Sequence, residues 1–285
     1  MYDLSGKVAL VTGTSNKRGL GRGIALRLAS EGADVVVTDK YKTLKDLTPW
    51  EREEGWRGLE SLVKEIEALG RQGLAITADI SNSQEVNNMV EKAVAELGKI
   101  DTLVNNAALI GRDIGKSPVV DMSEETWHKT IAVNLTGVFL MCRAVARQML
   151  KQGQGGKIIN ISSLGGKKGG AGRASYSASK FGVIGLTQSL ALELAPHKIN
   201  VNAVCPGGVV TWGTNGPAIY EAIKQGLSEE EAIAKAYASA EHEIPLGRPA
   251  KVEEVANLVA FLASSQSDYM TGQAINIGGG TLMAH

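Results

Sequence analysis

The chain has little cysteine: Cys142 and Cys205 stand far apart in 285 residues, with no CxxC pair. That excludes a disulfide framework and leaves two buried free thiols, one in a helical stretch and one at a strand end. Neither charge is in excess, since Lys plus Arg and Asp plus Glu both number 30. An even balance removes the electrostatic ground for nucleic acid or an anionic membrane as partner. Histidine is scarce as well. His128, His197, His242 and His285 pair neither with one another nor with cysteine at ligand spacing, so no metal site is expected. No apolar run approaches the roughly 20 residues of a membrane helix. The start, Met1-Tyr2-Asp3-Leu4-Ser5-Gly6-Lys7, has no basic segment leading into an apolar one. These absences lead us to expect a cytoplasmic protein without membrane contact.

What is present is alternation. Short β-branched runs at 7–12, 34–38, 74–78, 102–105, 157–162, 198–205 and 274–277 are separated by longer helical patterns, among them 21–31, 83–97, 123–149, 178–194 and 252–263. Several runs are apolar nearly throughout, as strands covered on both faces must be. The pattern predicts an α/β domain with one parallel sheet between helical layers, uninterrupted from end to end. Two stretches break the rhythm. Residues 40–57 are polar and carry Pro49, Trp50 and Trp56; residues 212–243 include Ser228-Glu229-Glu230-Glu231, the form of a capping box. Excursions of this length in a compact domain are usually covers or binding loops. We read 212–243 as a mobile lid with Gly213, Gly216 and Gly226 as joints. Its Trp212, Ile219, Tyr220, Ile233 and Tyr237 either line an apolar pocket or pack the lid on the core.

Tyr176 and Lys180 are four residues apart, and Ser163 lies upstream in Ser162-Ser163. On a helix, positions i and i+4 share a face, so phenol and ammonium project into one space. A phenol titrates near pH ~10 and is a poor base at neutrality; a neighbouring cation favours the phenolate. The first strand runs into Thr12-Gly13-Thr14-Ser15-Asn16-Lys17-Arg18-Gly19-Leu20-Gly21 and then a helix. Glycines there let the backbone approach a pyrophosphate at the helix N-terminus, which makes Gly13, Gly19, Leu20 and Gly21 candidate cofactor contacts. Asp39 ends the second strand, where a carboxylate accepts from the adenosine ribose hydroxyls and repels a 2′-phosphate. That favours NAD. Lys17, Arg18 and Lys40 are close enough in sequence to argue for NADP instead.

Gly13/Gly19/Gly21, Asn105-Asn106-Ala107-Ala108, Asn134, Ser163, Tyr176/Lys180 and Pro206-Gly207 occur in the order of the short-chain dehydrogenases/reductases, which the chain resembles over nearly its whole length. The resemblance implies a Rossmann-type three-layer αβα sandwich with a seven-stranded parallel sheet, and metal-free alcohol/ketone redox chemistry on a nicotinamide cofactor. It implies Tyr176 as general acid/base, Lys180 on the nicotinamide ribose and lowering the tyrosine pKa, Ser163 orienting the substrate oxygen, and Asn134 supporting a water that links Lys180 to solvent. By the same resemblance Asp79 and Ile80 contact adenine, Asn106 and Ala107 line the cofactor, and Val209 and Thr211 bind the carboxamide. A homotetramer, formed partly through helix 178–194, is expected by analogy. The glycine loop is two residues longer than the usual TGxxxGxG, and Ala108 replaces a usual glycine. Arg173, seven before Lys180, speaks against the YxxxxxxK enoyl-reductase branch. The leading reading is an NAD-dependent secondary-alcohol dehydrogenase; an NADPH-dependent ketoreductase and a non-catalytic cofactor-binding regulator are the rivals.

Overall fold

A computed structural model describes residues 2–40, 47–238 and 243–283, without the side chains of Arg112 and Thr214. Seven strands form one parallel sheet: β1 (Val8–Thr12), β2 (Asp34–Asp39), β3 (Gly73–Thr77), β4 (Thr102–Asn105), β5 (Gly156–Ile161), β6 (Ile199–Pro206) and β7 (Ala274–Ile277). Their order is β3-β2-β1-β4-β5-β6-β7. The chain therefore winds outward from β1 to β3, returns, and winds the other way from β4. The order reverses between β1 and β4, and a crevice opens at their carboxyl ends. The expected strands are all present, shifted by a residue or two. β6 begins at Ile199 because Lys198 sits at φ 58°, a left-handed conformation that a strand cannot contain.

Alternating side chains of the central strands feed two cores. Leu10, Leu103, Ile158 and Val201 point to one face, beneath α4 (Ser83–Leu97), α7 (Val138–Gln152) and α8 (Ala174–Leu194). Ala9, Val11, Val35, Val37, Val104, Ile159 and Val204 point to the other, beneath α1 (Leu20–Ser30), α3 (Leu59–Ala68) and α11 (Val252–Ala263).

The predicted helix 123–149 is not uniform. It runs as α6 (Glu124–Ile131), a π-helical stretch Ala132–Gly137, then α7. Such bulges occur where a helix is bent to function, and this one carries Asn134. The whole run Glu124–Gln152 has the length and composition to cross a membrane, although no uninterrupted apolar run marks it in sequence. Half of its most apolar window is buried in the first core, which makes it a core helix here. A further change concerns α8. It starts at Ala174, so Tyr176 and Lys180 both lie within it, one turn apart.

Of the two excursions, 41–46 and 239–242 lie outside the described residues. The remainder of the first forms α2 (Pro49–Glu53), started by Pro49 and by Thr48, whose N–H and hydroxyl donate to Glu51 at 3.0 and 2.7 Å. The second forms α9 (Trp212–Lys224) and α10 (Glu229–Tyr237). A short helix, α5 (Gly111–Ile114), follows β4. Trp50 of α2 packs edge-on against Trp212 and beside Tyr220, with centroids 5.4 Å apart in both cases. With Ile219, Ala222 and Ala232 they make a third, separate apolar cluster. Here the reading of the lid glycines is corrected. Gly213 and Gly216 lie inside α9, where an added Cβ would approach Ile110 to 3.1 Å and the Trp50 ring to 2.8 Å; they permit close packing. Gly226 alone, at φ 99° between α9 and α10, has the backbone of a joint.

Candidate active site

The glycine loop leaves β1 and enters α1. Gly13 (φ 71°) lies under the β4 end, where a Cβ would come within 2.7 Å of the Ala107 backbone, and a Cβ on Gly21 would reach 2.3 Å from the Gly13 oxygen. Asn106 fastens the loop from the other strand: its carboxamide donates to the Thr12 and Gly13 carbonyls at 2.9 and 3.0 Å. The Thr12 hydroxyl accepts from the N–H groups of Asn106 and Ala107, at 3.0 Å each. Thr12 was not among the sequence candidates, and its role is set by a neighbour 94 residues away. Gly19, the N-cap of α1, provides no side-chain cap, so the first-turn N–H groups of the helix are left as a site for an anion.

That crevice is a cleft of about 1380 Å³, room for a dinucleotide and a small substrate. Gly13, Gly19, Leu20, Gly21, Asp39, Asp79, Ile80, Asn106, Ala107, Ser163, Tyr176, Lys180, Val209 and Thr211 all line it. Asn134 does not. It is wholly buried behind the wall, where its carboxamide accepts from the Leu109 N–H at 2.7 Å and donates to the Leu109 carbonyl at 3.0 Å. It therefore fixes the chain that leaves β4, and also reaches Ser179 Oγ at 3.4 Å. Of the lid side chains, Trp212 and Tyr237 line the cleft, while Ile219, Tyr220 and Ile233 belong to the third apolar cluster. The Tyr237 hydroxyl donates to the Val209 and Thr211 carbonyls at 3.2 and 3.1 Å, holding that turn from the lid side.

At the adenosine end, Asp39 is already engaged. Oδ2 accepts from the Ser15 N–H and hydroxyl at 2.9 and 2.6 Å, and Oδ1 from the Lys40 N–H at 2.9 Å. A carboxylate has about four lone-pair sites, so a ribose finds room for one donor, not the two expected from sequence. The basic residues nearby are also engaged. Arg18 makes a bidentate pair with Glu54 at 2.8 Å, a bond to Glu229 at 3.0 Å, and lies 4.1 Å over the Trp212 ring. Lys17 pairs with Glu54 at 3.0 Å and Lys40 with Asp79 at 2.6 Å. Arg18 beside Glu54 holds that carboxyl below the usual range.

At the other end, Ser163 Oγ accepts from the Gly165 N–H at 3.0 Å and lies beside the Tyr176 phenol. Ser162 is turned away, its hydroxyl donating to the Lys180 carbonyl at 2.9 Å, which leaves Ser163 for chemistry. Lys180 is buried, donates to the Ile161 carbonyl at 2.8 Å, and has its Nζ 5.9 Å from the Tyr176 ring centre. Burial pushes its pKa down to about 8. The Tyr176 pKa departs from the sequence expectation: burial raises it, against weaker downward pulls from Ser163 and Arg173. In the protein alone burial thus holds the phenol neutral. Among the described residues, no cluster of His, Cys, Asp and Glu could hold a metal ion.

The chain is similar to known proteins over nearly its whole length. A family model described as "Enoyl-(Acyl carrier protein) reductase" matches residues 13–281. The chain is 39% identical to a 2-dehydro-3-deoxy-D-gluconate 5-dehydrogenase of Dickeya dadantii, over 99% of this chain and 97% of that protein. It is 40% identical to a 3-oxoacyl-[acyl-carrier-protein] reductase FabG of Staphylococcus epidermidis, over 97% and 99%. The carveol dehydrogenase of Mycobacterium avium, solved in complex with NAD, superposes with a TM-score of 0.81 at 30% identity, covering 99% of both chains. Fold and relatives agree: the chain belongs to the short-chain dehydrogenase/reductase family of oxidoreductases.

Proposed function

We propose that the protein is an NAD-dependent dehydrogenase that interconverts a small secondary alcohol and its ketone. The observation that carries this reading is the meeting of Tyr176, Ser163 and Lys180 on one wall of a cleft whose opposite end is a glycine loop and an uncapped helix N-terminus. The residues fit a dinucleotide, and NAD, when bound, would supply the hydride acceptor. Tyr176 takes the hydroxyl proton at its phenolic oxygen in oxidation and returns it in reduction. Ser163 holds the substrate oxygen beside it. Lys180 uses one of its three donors on Ile161 and has two left for ribose hydroxyls. Asn134 positions the Leu109 segment of the wall. Asp79, Ile80, Asn106, Ala107, Val209 and Thr211 complete the cofactor's side.

NAD over NADP is supported by Asp39 together with the carboxylates that neutralise Lys17, Arg18 and Lys40. An NADPH-dependent ketoreductase would need one of those cations free for the 2′-phosphate. A non-catalytic regulator has no support in the site, since each member of the Asn-Ser-Tyr-Lys set is present. We further propose that α9 and α10 form a lid jointed at Gly226, and that α7 and α8 meet further copies in a homotetramer. Phe139, Leu150, Phe181 and Leu192 on those two helices are exposed. Light scattering coupled to size exclusion tests the tetramer. Turnover of a secondary-alcohol panel with NAD and with NADP, beside Tyr176→Phe, tests the function. A rate that survives that substitution, or occurs only with NADP, overturns it.

A further inference from the structure

The basic side chains along the cleft fall into two groups. Among the described residues, those at the adenosine end, Lys17, Arg18 and Lys40, are each matched by a carboxylate. Around Tyr176 the cleft is lined by three more, Lys116, Lys129 and Arg173, none of which has a hydrogen-bonding or ion-pair partner among the described residues. They come from three separate segments. Lys129 is on α6, on the same wall as Ala132 and Val133. Arg173 immediately precedes α8, three residues before Tyr176, close enough for its charge to act on the phenol. Lys116 follows α5 and is brought to Arg173 by the backbone: the Ser117 N–H donates to the Gly172 carbonyl at 3.1 Å. A Cβ added to Gly172 would lie 3.5 Å from Lys116 Cβ.

One acidic side chain, Asp113, shares this part of the lining. Its Oδ2 is committed to the first turn of α5, accepting from the Ile110 N–H at 3.0 Å. In a chain with no net charge overall, three cations against one committed carboxylate at the mouth of a low-dielectric cleft make a local positive field. Clefts lined by one sign of charge concentrate ligands of the other. The pyrophosphate of a dinucleotide is accounted for by the α1 N-terminus, so it leaves this group unmatched.

We infer that Lys116, Lys129 and Arg173 form an anion-recognising rim, and that the substrate is a secondary alcohol or ketone bearing an anionic group, carboxylate or phosphate, away from the reacting carbon. This rests on the dehydrogenase reading above. The anionic group stays at the rim near solvent, while the carbinol carbon reaches Ser163 and Tyr176 deeper in the cleft. Arg173 supplies a planar fork for two oxygens, and the lysines supply point charges.

Two measurements test it. In the first, NAD-linked turnover is compared within matched pairs: 4-hydroxypentanoate and its methyl ester, and propane-1,2-diol 1-phosphate and propane-1,2-diol. The anionic member should have the higher kcat/KM, by an amount that falls with added salt. The better of the two anions names the group. The advantage should shrink about two- to fivefold for each charge removed in Lys116→Gln, Lys129→Gln and Arg173→Gln, the range of an exposed ion pair. Equal turnover of both members of each pair would overturn the inference.

The second measurement needs no turnover. Malonate and methyl phosphate are titrated calorimetrically into the NAD-saturated protein, wild type and triple variant. Binding that weakens about tenfold or more in the triple variant supports the rim. Binding that is absent in the wild type, or unchanged in the variant, overturns it. If no alcohol of either charge is turned over, the dehydrogenase reading fails, and the titration still decides the rim.

Discussion

The two ends of the cleft use similar residues to opposite effect. At the adenosine end Lys17, Arg18 and Lys40 are tied to Glu54, Glu229 and Asp79. At the Tyr176 end Lys116, Lys129 and Arg173 have no carboxylate among the described residues to answer them. A basic residue near a cofactor loop is commonly read as a phosphate ligand, yet here the three most suggestive ones are already neutralised. The comparison teaches that a charge reports on a ligand only after its partners are known. Glu54 and Glu229, which answer Lys17 and Arg18, sit in the two excursions, so the extra segments of this chain change what its cofactor loop can bind.

Changes confined to one end should leave the other intact, and that gives the comparison its sharpest tests. Tyr176→Phe removes the proton-carrying oxygen and little packing. Turnover should fall about 10²–10⁴-fold with the NAD dissociation constant nearly unchanged, as steady-state kinetics and calorimetry would show. A parallel loss of NAD affinity would mean the two ends are not separable.

Lys180 offers a stability test at the same end. Its folded pKa is about 8 against an ordinary 10.5, so between those pH values the unfolded chain binds more protons and stability rises with pH. The cost is fully present below pH ~8. Lys180→Met should abolish turnover while raising stability at pH 7 by up to about 3 kcal/mol, less whatever the lost bond to the Ile161 carbonyl contributes. It should also flatten the increase in thermal midpoint between pH 8 and 10. A variant that melts lower at pH 7 would show that the ammonium is better compensated than its burial indicates.

At the adenosine end, Asp39→Ala removes one acceptor from the ribose and the anchor of Ser15. One charge-assisted hydrogen bond is worth about 1.5–3 kcal/mol, so NAD should bind about tenfold or more weakly, with kcat at saturating NAD little changed. The smallest expected effect is from Glu54→Gln. Freeing Arg18 and Lys17 should improve NADP binding a few-fold relative to NAD, read as the ratio of dissociation constants. An unchanged ratio would mean Glu54 only ties the loop to the lid.

Much of this was legible in the sequence. The strands stood out because a buried parallel strand is apolar on both faces, and Tyr176, Lys180, Ser163 and Asp39 because their spacing and placement carry chemistry. The π-helical stretch at Asn134 was hidden, since its residues suit an α-helix equally well. Gly213 and Gly216 were read as joints because a glycine in sequence does not say whether it turns the chain or makes room, here for Ile110 and Trp50. The partners of Arg18 were out of reach for a different reason: Glu54 is 36 residues away and Glu229 is 211, and no local pattern spans such distances. The raised pKa of Tyr176 depends on burial, which four-residue spacing does not encode.

The most direct test of the central claim, that the adenosine end is built for NAD, requires no knowledge of the substrate. Calorimetric titration of the wild-type protein with NAD and with NADP, at one ionic strength, gives the two dissociation constants. The account predicts tighter binding of NAD by about tenfold or more, since NADP would bring its phosphate against Asp39 with Lys17, Arg18 and Lys40 already paired. Tighter binding of NADP would contradict it, and would show that Arg18, Lys17 or Lys40 leaves its carboxylate for the phosphate.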